Sequence, residues 1–267
     1  MTGAARICVL GNSHLGAAKL GWDQIASAYP GVEAVFFGAP WDLMSDLVVD
    51  GDALVPGSER LRKKLVRTSG GLDRIVPSEF DRIVLYGLQF GPRRLLQLYR
   101  TCRTIACEWR EPLENLAPMR RSIDPVHLIS GRLFDAAAMS GLENARAVQL
   151  VHQIGQMAEV PMAIVAAPGF SEVVLETGDW DGPLGGGDIE WLAARYLKLA
   201  VETCPKHAEL VLPPSHMTSH GLFTARRYAA GENAQGRADH VHTSSEYGAK
   251  TMQIAMAALG LEQPQAA

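Results

Sequence analysis

Cysteine is scarce in this chain. Four occur in 267 residues, Cys8, Cys102, Cys107 and Cys204, and no two stand in CxxC spacing. That pattern excludes a disulfide framework and a thiolate metal knuckle. Surplus positive charge is also missing: 25 Lys and Arg against 29 Asp and Glu give a net −4, no footprint for nucleic acid. The basic clusters Arg60-Leu61-Arg62-Lys63-Lys64 and Arg93-Arg94 read as solvated helix faces. No apolar stretch approaches the ~20 residues that span a bilayer. The start of the chain has no basic region, apolar region and cleavage site in series, so a cytoplasmic protein with no membrane partner is expected. Nucleotide motifs are absent too. GxGxxG does not follow the first apolar run, and after Gly11–Gly16 the chain has Ala17-Ala18 where a phosphate loop needs Lys-Ser/Thr. No cofactor is expected.

What is present is apolar residues, 47% of the chain, enough for one substantial core. Five short runs are apolar or β-rich: Arg6–Leu10, Glu33–Phe37, Arg82–Tyr86, Pro161–Ala166 and Glu209–Leu212. Continuous rather than alternating, they suit strands buried on both faces, and the longer segments between them suit helices. Helical spacing runs from Leu133 to Glu159 with Gly141 as the expected break. Asp188 reads as the N-cap of a helix to about Cys204, and Thr243 with Glu246 as a capping box opening a last helix to about Leu259. Residues 42–80 make a long connection, with Asp50-Gly51 as a hairpin signal inside it. The glycines at 178, 182, 185, 186 and 187 make 178–188 a loop. The tail 262–267 reads as frayed. One domain spanning 1–267 is expected, with 42–80 as an insertion, and composition leaves the oligomeric state open.

Ser13 follows the first apolar run in Gly11-Asn12-Ser13-His14, and far downstream stands Asp239-His240-Val241-His242. An aspartate three residues before a histidine can orient its imidazole, and a serine on a turn at a strand's end is exposed. Together they supply nucleophile, base and orienter. In open parallel sheets, sites form beyond the carboxyl ends of the strands. Ser13, Gly38, Gly87, the glycine-rich loop and the Asp239/His242 pair each follow a successive strand, so all fall on one edge.

These residues resemble the SGNH (GDSL-type) hydrolase superfamily. Its first block, Gly-Asp-Ser, reads here Gly11-Asn12-Ser13. Its last, Asp-x-x-His before a final helix, reads Asp239-His240-Val241-His242. Gly38 stands for the glycine of its second block. In its third, Gly-x-Asn-Asp, this chain has Gly87-Leu88-Gln89-Phe90. The resemblance implies a three-layer αβα sandwich, flavodoxin-like, with a five-stranded parallel sheet in order 2-1-3-4-5. It also implies an oxyanion hole from the backbone of Ser13 and Gly38 and the side chain of Gln89. Glutamine keeps the carboxamide donor but sets it one methylene further out, which bears directly on activity.

The expected activity is that of a serine esterase or deacylase acting on a small-molecule or carbohydrate-borne acyl ester. An O-acyltransferase using the same site, or a non-catalytic glycan-handling or scaffold protein, are the alternatives. Trp41, Phe90 and Trp180 are expected pocket walls, with His14 and Gly87 as further substrate contacts. His216 and His220 have the i, i+4 spacing of two ligands on one helix face. The prolines Pro213-Pro214 and the glycine Gly221 argue for an irregular loop there, and no metal is expected.

Overall fold

A computed structural model of the chain describes residues 4–104, 127–177, 186–232 and 236–261. Numbering only the strands of the main sheet, β1 is Ala5–Gly11, β2 Val32–Gly38, β3 Arg82–Gly87, β4 Met162–Ala166 and β5 Ala208–Val211. They are all parallel and lie in the order β2-β1-β3-β4-β5. The five expected runs are these strands, each within one residue of its expected bounds, and the order is the expected one.

Side-chain alternation along β1 divides the interior. Ile7 and Val9 face one layer with Val84, Tyr86, Ala163 and Val165, whereas Cys8 and Leu10 face the other with Ile83, Leu85 and Ile164. Both faces are fully apolar because both are covered. Cys8 is a completely buried thiol, pushed well above the usual cysteine range by burial. The first layer is closed by α1 (Leu15–Ile25) and by the last helix, Ser245–Ala258. The second is closed by α2 (Glu59–Ser69), α3 (Arg93–Thr101), α4 (Gly131–Glu143), α5 (Arg146–Met157) and α7 (Gly186–Thr203), with the short α6 (Val173–Thr177) between α5 and α7. The last helix is α8.

The connection 42–80 contains the crossover helix itself. After a 3-10 turn at Trp41–Asp46, strands Leu47–Asp50 and Ala53–Pro56 form the expected hairpin, with Gly51 at φ +62° in its turn. Then α2 packs back on β2. Its N-terminus is capped by Ser58, which accepts from the Leu61 amide at 3.3 Å, and it ends on Gly70 at φ +78°. Its basic run is solvent-facing, and Arg62 pairs with Glu59 at 2.6 Å.

Three boundaries differ from expectation. The break after Leu133 falls at Asn144, not at Gly141. A glycine weakens a helix by only about 1 kcal/mol, whereas at Asn144, where the helix ends, the side-chain Nδ2 donates to the Ser140 carbonyl at 2.8 Å. The helix expected from Asp188 already begins at Gly186, and Asp188 lies in its first turn, accepting from the Tyr99 hydroxyl. The rest of the expected loop, including Trp180, lies outside the described residues, as do Cys107 and 262–267. The last helix is capped by Ser244, accepting from the Tyr247 amide at 3.3 Å, while Thr243 ends a strand. No helix among the described residues is long and apolar enough to cross a membrane.

Candidate active site

The candidate nucleophile and base stand on segments that lead into two helices touching backbone to backbone. Ser13 immediately precedes α1, and His242 precedes α8. Where these helices cross, a Cβ on Gly21 would stand 2.1 Å from the Ala249 amide nitrogen, and one on Gly248 only 1.9 Å from the Ala17 carbonyl oxygen. Two glycines inside helices are costly locally, and here they let the first turn of α8 cross α1 at backbone contact. A hydrogen bond from Gln24 Nε2 to Ser245 Oγ at 2.8 Å ties the same pair.

Beyond β1 the chain turns at Asn12, whose Oδ1 accepts from the His14 amide at 3.2 Å and whose carbonyl accepts from the Leu15 amide at 3.0 Å. Ser13 sits half-buried at the tip of that turn. Gly38 is the register partner of Gly11, so close that a Cβ would meet the Gly11 carbonyl at 2.1 Å, which brings its backbone beside the Ser13 turn. On the other side Gly87, at φ +76°, lies against Asn12 Oδ1 and His14 Cδ2, where a Cβ would be 3.1 and 3.3 Å away.

Asp239 and His242 lie on the strand Ala238–Thr243, which pairs with Ala229–Glu232 in an antiparallel ribbon. Asp239 Oδ1 accepts the amides of Val241 (3.0 Å) and His242 (2.9 Å), and Oδ2 faces His242 Nδ1 at 2.8 Å. Burial works to raise the Asp239 pKa. The backbone and ring hydrogen bonds of His242 and the Val241 amide outweigh it and hold the carboxyl below its ordinary value. With Nδ1 committed to the carboxylate, a neutral His242 presents its lone pair at Nε2. The ring meets that of His14, the residue after Ser13, with centroids 5.6 Å apart and planes tilted by 53°. Among the described residues no hydrogen bond joins the Ser13 hydroxyl to His242. Catalytic hydrogen bonds often form only with substrate in place.

His14 is buried, and its Nδ1 has no hydrogen-bond partner among the described residues. Burial first, then the nearby positive charge of Arg93 and of His242, hold its pKa well below 6.5 against the pull of Asp239, so it stays neutral.

The third block is the most strained part of the site. Leu88 (φ +42°) and Gln89 (φ +68°) both adopt the left-handed region, with the Phe90 amide closing the turn on the Gly87 carbonyl at 2.9 Å. Each such residue costs about 1–2 kcal/mol. The turn is held by its surroundings: the Leu88 carbonyl accepts from the Ala147 amide at 3.1 Å and the Phe90 carbonyl from Ala167 at 2.6 Å. This geometry keeps Gln89 half-exposed at the strand's end. Its Oε1 accepts from Arg94 Nη2 at 3.1 Å, and its carboxamide NH₂ donates to no group among the described residues.

Some expected residues fall elsewhere. Phe90 is completely buried in the core with Leu85, Leu95 and Leu96, so it is no pocket wall. Trp41 opens the 3-10 turn after β2. His216 lies in a 3-10 turn and His220 at φ +52°, so the two share no helix face, and no metal-binding group of His, Cys, Asp and Glu occurs among the described residues.

Arg93 corrects the reading of Arg93-Arg94 as a solvated face. Its guanidinium donates to the Val241 carbonyl, next to His242, and to that of Gly169 at 3.4 Å, and lies over the Phe170 ring at 4.9 Å. Burial pushes its pKa down to about 10, with Tyr247 and Asp239 acting against the shift, so it remains charged at neutral pH. The only signal in the sequence was its place at the start of the helix after β3. Comparison with protein-family models and with curated proteins finds no match to this chain.

Proposed function

We propose that this protein is a cytoplasmic serine esterase of SGNH type, acting on a small-molecule or carbohydrate-borne acyl ester. The observation that carries the reading is the 2.8 Å Asp239–His242 pair whose imidazole meets His14, next to Ser13, at the carboxyl edge of a parallel sheet. The chemistry follows from these groups. His242 Nε2 takes the Ser13 proton as Oγ attacks the ester carbonyl, and the Gln89 NH₂ with the backbone of Ser13 and Gly38 supports the oxyanion. Collapse expels the alcohol, which takes the proton from His242 and leaves an acyl-serine. Water attacks that intermediate with the same base and releases the acid and the free hydroxyl. A sugar hydroxyl entering in place of water would make the reaction an acyl transfer.

The test is hydrolysis of p-nitrophenyl acetate by the wild type, Ser13→Ala and His242→Ala. Both variants should fold as the wild type and lose turnover. Undiminished turnover in Ser13→Ala would refute the mechanism.

A further inference from the structure

The strand that carries Asp239 and His242 is gripped by a charge from another element. Arg93 Nη2 donates to the Val241 carbonyl and, at 3.4 Å, to that of Gly169. The Val241 carbonyl and the His242 amide belong to one planar peptide unit. The amide end of that unit donates to Asp239 Oδ1 at 2.9 Å. The plane is therefore held at both ends, by a cation on its oxygen and a carboxylate on its hydrogen. Bonds chained in this way polarise one another, and the His242 side chain leaves the backbone at the very next atom. One residue upstream, the His240 carbonyl accepts from the Ser171 amide at 2.9 Å. The segment after β4 thus backs the neighbouring peptide as well.

Stability does not account for a cation at this place. Arg93 is the first residue of α3, where the helix dipole disfavours positive charge. Its Nε is buried without a hydrogen-bond partner among the described residues. No carboxylate pairs with it there: Asp239 is near enough to act on its charge, but both its oxygens are taken by Val241 and His242. A buried cation without a counter-ion is costly, and the Phe170 ring, 4.9 Å from the guanidinium, offsets only part of that cost. The root of the side chain is firm. A Cβ on Gly91 would stand 2.5 Å from the Ala167 carbonyl oxygen, so the chain entering α3 is pressed on the segment after β4.

We propose that Arg93 is a positioning residue, which fixes the Val241–His242 peptide plane and so the point from which the His242 imidazole reaches the Ser13 hydroxyl. Its effect on turnover rests on the esterase reading; its effect on the imidazole does not.

Two measurements on the full-length chain test it, with circular dichroism confirming that each variant folds. In p-nitrophenyl acetate hydrolysis, Arg93→Met should lower kcat by about 10²-fold, the loss that ~1 Å of misplacement brings. KM should stay within about twofold, because Arg93 does not hold the substrate. A single nitrogen serves both carbonyls, so a lysine ammonium can stand in for it, and Arg93→Lys should be at least about tenfold faster than Arg93→Met. Arg93→Gln replaces Arg93→Met if the latter does not fold. The second measurement is the His242 tautomer, read from its ring nitrogens by ¹⁵N NMR at pH ~8, where an ordinary imidazole is neutral. In Ser13→Ala, which needs no turnover, the proton should sit on Nδ1, facing Asp239. Adding Arg93→Met should bring in the Nε2-protonated form. An unchanged tautomer, a loss in KM rather than kcat, or a lysine variant no faster than the methionine one would each overturn the proposal. If the wild type has no serine-dependent turnover, the esterase reading fails by itself, and the tautomer alone decides the role of Arg93.

Discussion

Replacing Gly248 with alanine should damage stability and activity together, because one helix contact supports both. The added Cβ would stand 1.9 Å from the Ala17 carbonyl oxygen and close to the Ala18 amide. These are backbone atoms, so no rotamer change relieves the clash. Restoring ordinary contact at ~3.5 Å requires the helices to part by about 1.5 Å. Overpacking of this kind costs roughly 1–3 kcal/mol, against which better helix propensity returns at most about 1 kcal/mol. For a chain of this size a net loss of 1–2 kcal/mol lowers the melting midpoint by about 2–8 °C. The same displacement separates Ser13 from His242, and a misplacement of ~1 Å costs about 10²-fold in turnover. Gly141→Ala is the control. Its Cβ meets only the Arg94 Cβ, at 3.9 Å, so it should stabilise by about 0.5–1 kcal/mol and leave turnover intact. Circular dichroism melts with p-nitrophenyl acetate kinetics at temperatures where each variant is folded would decide. If Gly248→Ala melts and turns over like Gly141→Ala, the helix crossing does not set the site.

Gln89→Ala should lower kcat and kcat/KM together by about 10²–10³, with KM nearly unchanged, because an oxyanion donor acts in the transition state. Gln89→Gly separates strain from chemistry: it should melt higher, by relief of the φ +68° conformation worth about 1–2 kcal/mol, yet be equally slow. Wild-type kinetics in both would make Gln89 a bystander. His14 has a folded pKa well below 6.5, so the unfolded chain binds a proton there that the folded chain does not. Its contribution is intact above pH ~6.5 and declines as pH falls below that, by at most about 1.4 kcal/mol per pH unit. Asp239, also depressed, adds its own loss only once pH falls below the ordinary carboxylate value. His14→Asn should therefore flatten the midpoint profile between pH 7 and 5. A slope equal to the wild type's would contradict a neutral buried His14.

The sheet was legible because each strand is a continuous apolar run flanked by turn residues, a signal tertiary context seldom overrides. Asp239 and His242 were legible because three-residue spacing suffices to close their hydrogen bond. Contacts between distant segments were not. Gly21 and Gly248 look like ordinary weak points in two separate helices, and their meaning appears only once the helices cross. Arg93 carries the same charge as its neighbour Arg94, and nothing local says that it turns inward to Val241 while Arg94 reaches Gln89. The capping box was displaced by one residue because Thr243 and Ser244 offer the same hydroxyl, and only the ribbon strand ending at Thr243 selects Ser244.

The central claim, that Ser13 is an activated nucleophile, is tested most directly by fluorophosphonate labelling of the full-length chain read by intact-protein and peptide mass spectrometry. One adduct per chain, located on Ser13, abolished in Ser13→Ala and slowed in His242→Ala, is the predicted result. A folded wild-type protein that takes no label, or takes it equally in Ser13→Ala, would contradict the account.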